Sequence, residues 1–118
     1  MMELDYSVRA EARYVRISPQ KVRLVLDQVR GKGIEEALAL LRFMPQRAAR
    51  PVAKLIRSAA ANAEDRYGLG PDELYIAQIY ADDGPRTRRY RIGARGRIKP
   101  RIRRTTHITV VLGFRQAA

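Results

Sequence analysis

Cysteine is absent from this chain, which excludes disulfide frameworks, thiolate nucleophiles and cysteine-ligated zinc or iron-sulfur sites. Long uncharged runs are scarce as well. The longest are Leu74–Ala81, eight residues, and Thr105–Phe114, ten, far short of the roughly 18 that mark a membrane span. The first residues, Met1-Met2-Glu3-Leu4-Asp5, lack the basic-then-apolar order of a signal peptide, so a soluble, cytoplasmic protein is expected. Histidine occurs once, as His107. No spacing unites a nucleophile with a base or assembles a set of metal ligands, so neither enzymatic activity nor a cofactor or metal is expected.

What the sequence has in excess is positive charge: 24 Lys and Arg against 12 Asp and Glu, a net +12 with a pI near 11.0. The excess is localised. Residues 86–104 contain Arg86, Arg88, Arg89, Arg91, Arg95, Arg97, Lys99, Arg101, Arg103 and Arg104 and no acidic residue. Such a block speaks about partners, not about fold. Its cations are nearly all arginine, whose planar fork matches phosphate oxygens and stacks on bases as an ammonium does not. Nucleic acid is the expected partner.

Around this block the chain reads as one α+β domain. At 118 residues it fits a single hydrophobic core. Residues 8–14 alternate small or apolar side chains with charged ones, the period of a half-buried strand. Ser18-Pro19 predicts a helix start with the serine hydroxyl as cap, followed by Val22, Val25, Leu26 and Val29 on one face and a stop at Gly31 and Gly33. A second helix is predicted over Ile34–Phe43, with Ala37, Leu38 and Leu41 inward. A third carries Val52, Leu55, Ile56, Ala59, Ala60 and Ala63 at helical spacing and begins regularly, or bends, near Pro51. Strands are predicted over Leu74–Ala81 and Thr106–Leu112, the latter with Ile108, Val110 and Leu112 on one face.

The basic block therefore lies between two strands, entered at Gly84-Pro85, with Gly93 and Gly96 near its centre. Equal arms about those glycines predict a hairpin turning at residues 93–96. Each arm from Leu74 to the turn has a reach of about 60 Å, against a radius of gyration near 14 Å for a domain of this size. The hairpin must project. The division expected is a core of residues 1–85 and 105–118 with a distal hairpin of 86–104. Tyr90, Ile92 and Ile98 add surfaces able to wedge against bases or sugars. A solvated, mobile loop is the plain alternative for the free protein, since like-charge runs repel.

Smaller signals weigh less. Gly93-Ala94-Arg95-Gly96 has the letters of the GXXG loop of KH domains, but that loop joins helices and this one joins strands. Gly31-Lys32-Gly33 lacks the spacing of a P-loop and reads as a helix stop. Asp82 and Asp83 before Gly84-Pro85 favour a turn. His107 reads as a satisfied or RNA-facing histidine. Arg13, Arg16, Ser18, Lys21 and Arg23 cluster at the start of the first helix, where free amides also favour an anion, and form a second candidate phosphate-binding surface.

These residues resemble the large-subunit ribosomal protein L twenty-two family of bacterial type along nearly the whole chain. The likeness is carried by Ala12-Arg13-Tyr14-Val15-Arg16-Ile17-Ser18-Pro19-Gln20-Lys21-Val22-Arg23-Leu24-Val25, Val29-Arg30-Gly31-Lys32 and Ser58-Ala59-Ala60-Ala61-Asn62-Ala63. It continues through Asp83-Gly84-Pro85, Ala94-Arg95-Gly96-Arg97 and Arg104-Thr105-Thr106-His107-Ile108-Thr109-Val110. The resemblance implies three helices packed on a three-stranded antiparallel sheet, with the hairpin entering large-subunit ribosomal RNA. It also implies an assembly role, neighbouring ribosomal proteins as partners, no homo-oligomer, and a tip (Arg91, Ile92, Gly93, Ala94, Arg95) reaching the wall of the peptide exit tunnel beside the nascent chain. Departures fall at Ile92-Gly93, where relatives commonly carry a Pro-Arg pair, and at Thr87, where methionine is frequent.

The rival reading is an architectural DNA-binding protein, because basic β-ribbon arms also enter minor grooves. Such arms kink DNA with an apolar wedge at the tip, whereas Pro100 lies in the returning arm. Membrane binding ranks third, since the block lacks an apolar helical face.

Overall fold

The computed structural model describes residues 8–114, with the side chains of all of these except residues 87–92 and 98–103. Strand β1 spans Val8–Val15, followed by helices α1 (Pro19–Val29), α2 (Ile34–Phe43) and α3 (Ala49–Tyr67). Then come β2 (Leu74–Asp83), β3 (Thr87–Ile92), β4 (Ile98–Arg103) and β5 (Thr106–Phe114). Strands β1, β5 and β2 form an antiparallel sheet with β5 in the middle, while β3 and β4 form a separate two-stranded ribbon. The central place suits β5: it carries no charge, is rich in β-branched residues, and pairs on both edges.

Ile108, Val110 and Leu112 project from one face of β5 and are completely buried. Beneath them α3 packs on β1 and β5, α1 on β2, and α2 against α3. Helix α1 contributes Val22, Val25, Leu26 and Val29 to this core, and α3 contributes Val52, Leu55, Ile56, Ala59 and Ala63. Each large apolar side chain so buried stabilises the fold by about 1.5–3 kcal/mol. The alanines of α3 let its backbone approach the sheet. Leu38 and Ala60 pack against the core while remaining half-buried.

Two expectations need correction. Ser18 stands at the N-cap of α1, but its hydroxyl makes no capping bond; the contact there is Val22 N–H donating to the Ser18 carbonyl at 3.2 Å. Period-two alternation also places Tyr14 on the face shared by Ala10 and Ala12. A bulge between Ala12 and Val15 breaks that period, sets Tyr14 at φ 58°, and turns its ring outward to 61% exposure. The extra residue of a bulge resets the alternation, so Val15 and Ile17 pack against the core instead. Pro51 fits where it stands, in the first turn of α3, where its missing N–H has no intrahelical partner to lose.

The outer edge of β2 is covered by the α1–α2 turn. Gly31 N–H donates to the Ile76 carbonyl at 3.1 Å, and Ile76 N–H donates to the Lys32 carbonyl at 2.9 Å. Farther along, the guanidinium of Arg30 donates to the Ile79 carbonyl at 3.0 Å and that of Arg23 to the Ala81 carbonyl at 2.9 Å. An edge strand otherwise presents unpaired groups that invite association with another chain.

Candidate nucleic-acid interface

The basic ribbon continues β2 and β5 beyond the helices. Core pairing runs to Asp83↔Thr106 and resumes in the ribbon at Thr87↔Arg103, ending at Ile92↔Ile98. A clasp holds the junction. Gly84 N–H donates to the Thr105 carbonyl at 2.9 Å, the Thr105 hydroxyl donates to the Pro85 carbonyl at 2.8 Å, and Arg104 pairs with Asp83 at 3.2 Å. Glycine is required at 84, because a Cβ there would collide with the Thr105 hydroxyl and lie 3.2 Å from that residue's carbonyl carbon and oxygen.

At the far end the chain reverses through Ala94–Gly96, with Gly93 N–H bonded to the Arg97 carbonyl. Arg95 and Gly96 both take left-handed backbone, at φ 61° and 72°. The reversal falls within the predicted turn. β3 and β4 make their principal contacts with each other. The molecule measures 68 × 29 × 22 Å with a radius of gyration of 17.7 Å, well above the about 13.5 Å of a compact chain of this length.

Of the side chains expected to carry the interface, Arg86, Ala94, Arg95, Arg97 and Arg104 are exposed and Gly93 is half-exposed. Arg104 is engaged by Asp83. The side chains of Arg88, Arg89, Tyr90, Arg91, Ile92, Ile98, Lys99, Arg101 and Arg103 lie outside the described ones; their backbone places them in β3 and β4.

The second predicted surface, at the start of α1, comes together only in part. Arg16 and Lys21 are exposed, and the first turn of α1 holds no acidic residue. Arg23 is committed to the Ala81 carbonyl, and Arg13 bonds Glu11 at 3.2 Å. Ser18 is half-buried. The guanidiniums of Arg9 and Arg13 beside Glu11 hold its carboxyl below the ordinary value of 4.5, so the carboxylate stays ionised and offsets part of this surface's charge.

His107 is a structural residue here. Its Nδ1 accepts the Tyr14 backbone N–H at 3.0 Å, and the two rings meet edge-on with centroids 4.9 Å apart. The bond fixes the proton on Nε2 and satisfies an amide that the bulge removes from the sheet ladder. Sequence reasoning also missed a second concentration of cations, on the loop and helices between Arg42 and Arg57. Its members come from separate segments; the available signal was the i, i+4, i+7 spacing of Arg50, Lys54 and Arg57.

Comparison with known proteins agrees with these features. The family described as "Ribosomal protein L22p/L17e" matches residues 10–113. "Large ribosomal subunit protein uL22" of Thermomicrobium roseum is 55% identical over 105 residues, covering 89% of each chain. Its namesake from Chloroflexus aggregans is 58% identical over 105 residues, covering 88% of this chain and 92% of the relative. That of a Synechococcus strain is 52% identical over 112 residues, covering 95% and 90%. A match from β1 through β5, hairpin included, shows that the chain belongs to the L22p/L17e family of ribosomal proteins.

Proposed function

We propose that this protein is a structural, non-enzymatic component of the large subunit of the cytoplasmic ribosome, binding ribosomal RNA through its hairpin and aiding subunit assembly. The observation that carries this reading is the union of shape and charge: residues 86–104, which contain a two-stranded ribbon rooted in a helix-backed sheet, hold ten cations and no acid. Strands so charged repel one another in isolation, and phosphates laid along them remove that repulsion while releasing counterions from the RNA.

The partition of labour follows. The globular part outside residues 86–104 docks through the exposed Arg16 and Lys21, with Arg13, Ser18 and Arg23 beside them, and touches neighbouring ribosomal proteins. Residues 86–104 thread between RNA helices as a monomeric arm. At the tip, Arg91, Ile92, Gly93, Ala94 and Arg95 face the peptide exit tunnel and the nascent chain. Names of the relatives favour ribosomal RNA over duplex DNA as the anion, and Pro100 lies in the returning strand β4, not in the turn where DNA-kinking arms place a proline wedge.

The test is a photo-crosslinking side chain at Ala94 in ribosomes translating a stalled peptide. Crosslinks to the peptide are expected from Ala94, and none from an equivalent probe at Gln28 on α1. Crosslinks from Ala94 confined to proteins of the subunit exterior would contradict the tunnel placement.

A further inference from the structure

Charges on α2 follow the helix dipole: Glu35 and Glu36 occupy its first turn and Arg42 its last. Charges on α3 are less ordered. Arg50 lies in its first turn, Lys54 and Arg57 follow along the helix, and its last turn mixes Glu64 and Asp65 with Arg66. Cations near the positive end of a helix cost stability, and such local conflicts concentrate where a surface has another duty.

The three cations line one side of an open groove of about 940 Å³ between α2 and α3, together with Arg42 and Arg47. No acidic residue lines this groove, and among the described residues none of the five is paired with a carboxylate. Between Arg42 and Met44, which line the groove, Phe43 is 82% exposed, with the Arg42 guanidinium 5.9 Å from its ring centroid. An exposed aromatic beside a cation cluster offers a face on which a base can stack.

We propose that this α2–α3 groove is a further RNA-docking surface, holding consecutive phosphates of one strand on Arg50, Lys54 and Arg57 and stacking an unpaired base on Phe43. It extends the RNA-binding reading above to a site separate from the hairpin and from the start of α1. Spacing supports the match. With a rise of 1.5 Å per residue, Arg50 and Lys54 stand about 6 Å apart along the axis and Arg57 about 4.5 Å farther, comparable with successive phosphates of a strand. An acidic protein partner would satisfy the charge, but it would give the arginine forks and the exposed ring no base to stack on.

The test uses the full chain and a large-subunit RNA fragment titrated at several salt concentrations. Its variants are Arg50→Gln/Lys54→Gln/Arg57→Gln, Phe43→Ala, and Arg95→Gln/Arg97→Gln in the hairpin. The triple exchange is expected to weaken binding about tenfold and lower the log-log salt slope by about 2. Phe43→Ala is expected to weaken it about fivefold with the slope unchanged, because stacking releases no counterions. The single exchange Arg57→Gln carries about a third of the slope change and leaves folding intact. If the groove variants match the unaltered protein while the hairpin variant weakens, the groove proposal is overturned and the hairpin reading stands. If the groove variants weaken and the hairpin variant does not, the reverse holds. Polyglutamate binding that the triple exchange abolishes, with RNA binding unchanged, assigns the groove to an acidic protein and overturns the proposal.

Discussion

Strands β2 and β5 end where β3 and β4 begin, yet the two ribbons are held together by different means. Between Leu74 and Asp83 the pairing is backed by α1 and α3 and buries Ile76, Ile79, Ile108, Val110 and Leu112. Beyond Gly84 and Thr105 the same two directions continue without comparable helical support, and ten cations replace the apolar alternation. The first ribbon is stabilised from within by removing hydrocarbon from water. The second carries like charges that gain nothing from each other, and on the proposed reading an external anion stabilises it. One fold thus joins a self-sufficient core to an arm that, on the proposed reading, RNA completes, and the clasp at Gly84, Thr105, Asp83 and Arg104 marks the border.

The largest effect expected from breaking this contrast is in the core. Leu55→Ala removes a buried side chain of α3 and should lower stability by about 2–5 kcal/mol, whereas Arg97→Ala should barely alter the denaturation midpoint. Equal destabilisation by the two would erase the distinction between the regions. Next is the border itself. Gly84→Ala drives a methyl group into Thr105, and chemical denaturation should show a loss of about 1–3 kcal/mol, with little effect on α1–α3. A neutral outcome would mean that the close approach is not needed.

A smaller effect belongs to the bulge. At φ 58° Tyr14 occupies backbone that costs a non-glycine residue about 1–2 kcal/mol, offset by its ring contact with His107. Tyr14→Gly should therefore change stability by less than about 1 kcal/mol, while Tyr14→Ala, which keeps the strain and loses the ring, should be the less stable of the two. The reverse ranking by thermal denaturation would contradict this balance.

The smallest effect is acid sensitivity at Glu11. Its folded pKa is depressed by Arg9 and Arg13, so the stability it contributes is fully present above the ordinary carboxylate value and is lost as pH falls through the depressed one. Because its partners are exposed and solvent screens the pairs, Glu11→Gln should flatten the low-pH limb of the stability curve only slightly; steeper acid sensitivity in the variant would reverse the sign of the argument.

Much of this architecture was legible beforehand because it rests on local, periodic rules. Val22, Val25, Leu26 and Val29 predict α1, and Gly93 with Gly96 locates the turn through the centre of the charge block. What stayed hidden depends on tertiary geometry. Nothing local tells that Tyr14 adopts left-handed backbone, since the bulge is set by pairing with Ile108 and Thr106, more than ninety residues away. Arg23 and Arg13 read as free cations by composition, but Ala81 and Glu11 engage them in the folded chain. The groove cations are spread from Arg42 to Arg57 and converge only when α2 packs on α3.

The central claim is that the ribbon is the principal electrostatic reader of RNA. Replacing residues 86–104 with a short Gly-Ser turn joins Pro85 to Thr105 and should leave a folded core, as circular dichroism can verify. Titration of the full chain and this shortened form into a large-subunit RNA fragment at several salt concentrations measures both affinity and counterion release. Each phosphate contact contributes about 0.7–0.9 to the slope of log affinity against log salt. The shortened protein should bind more weakly and with a distinctly smaller slope, its residual affinity arising from Arg16, Lys21 and the rest of the globular surface. Equal affinity and equal slope in the two forms would contradict the account.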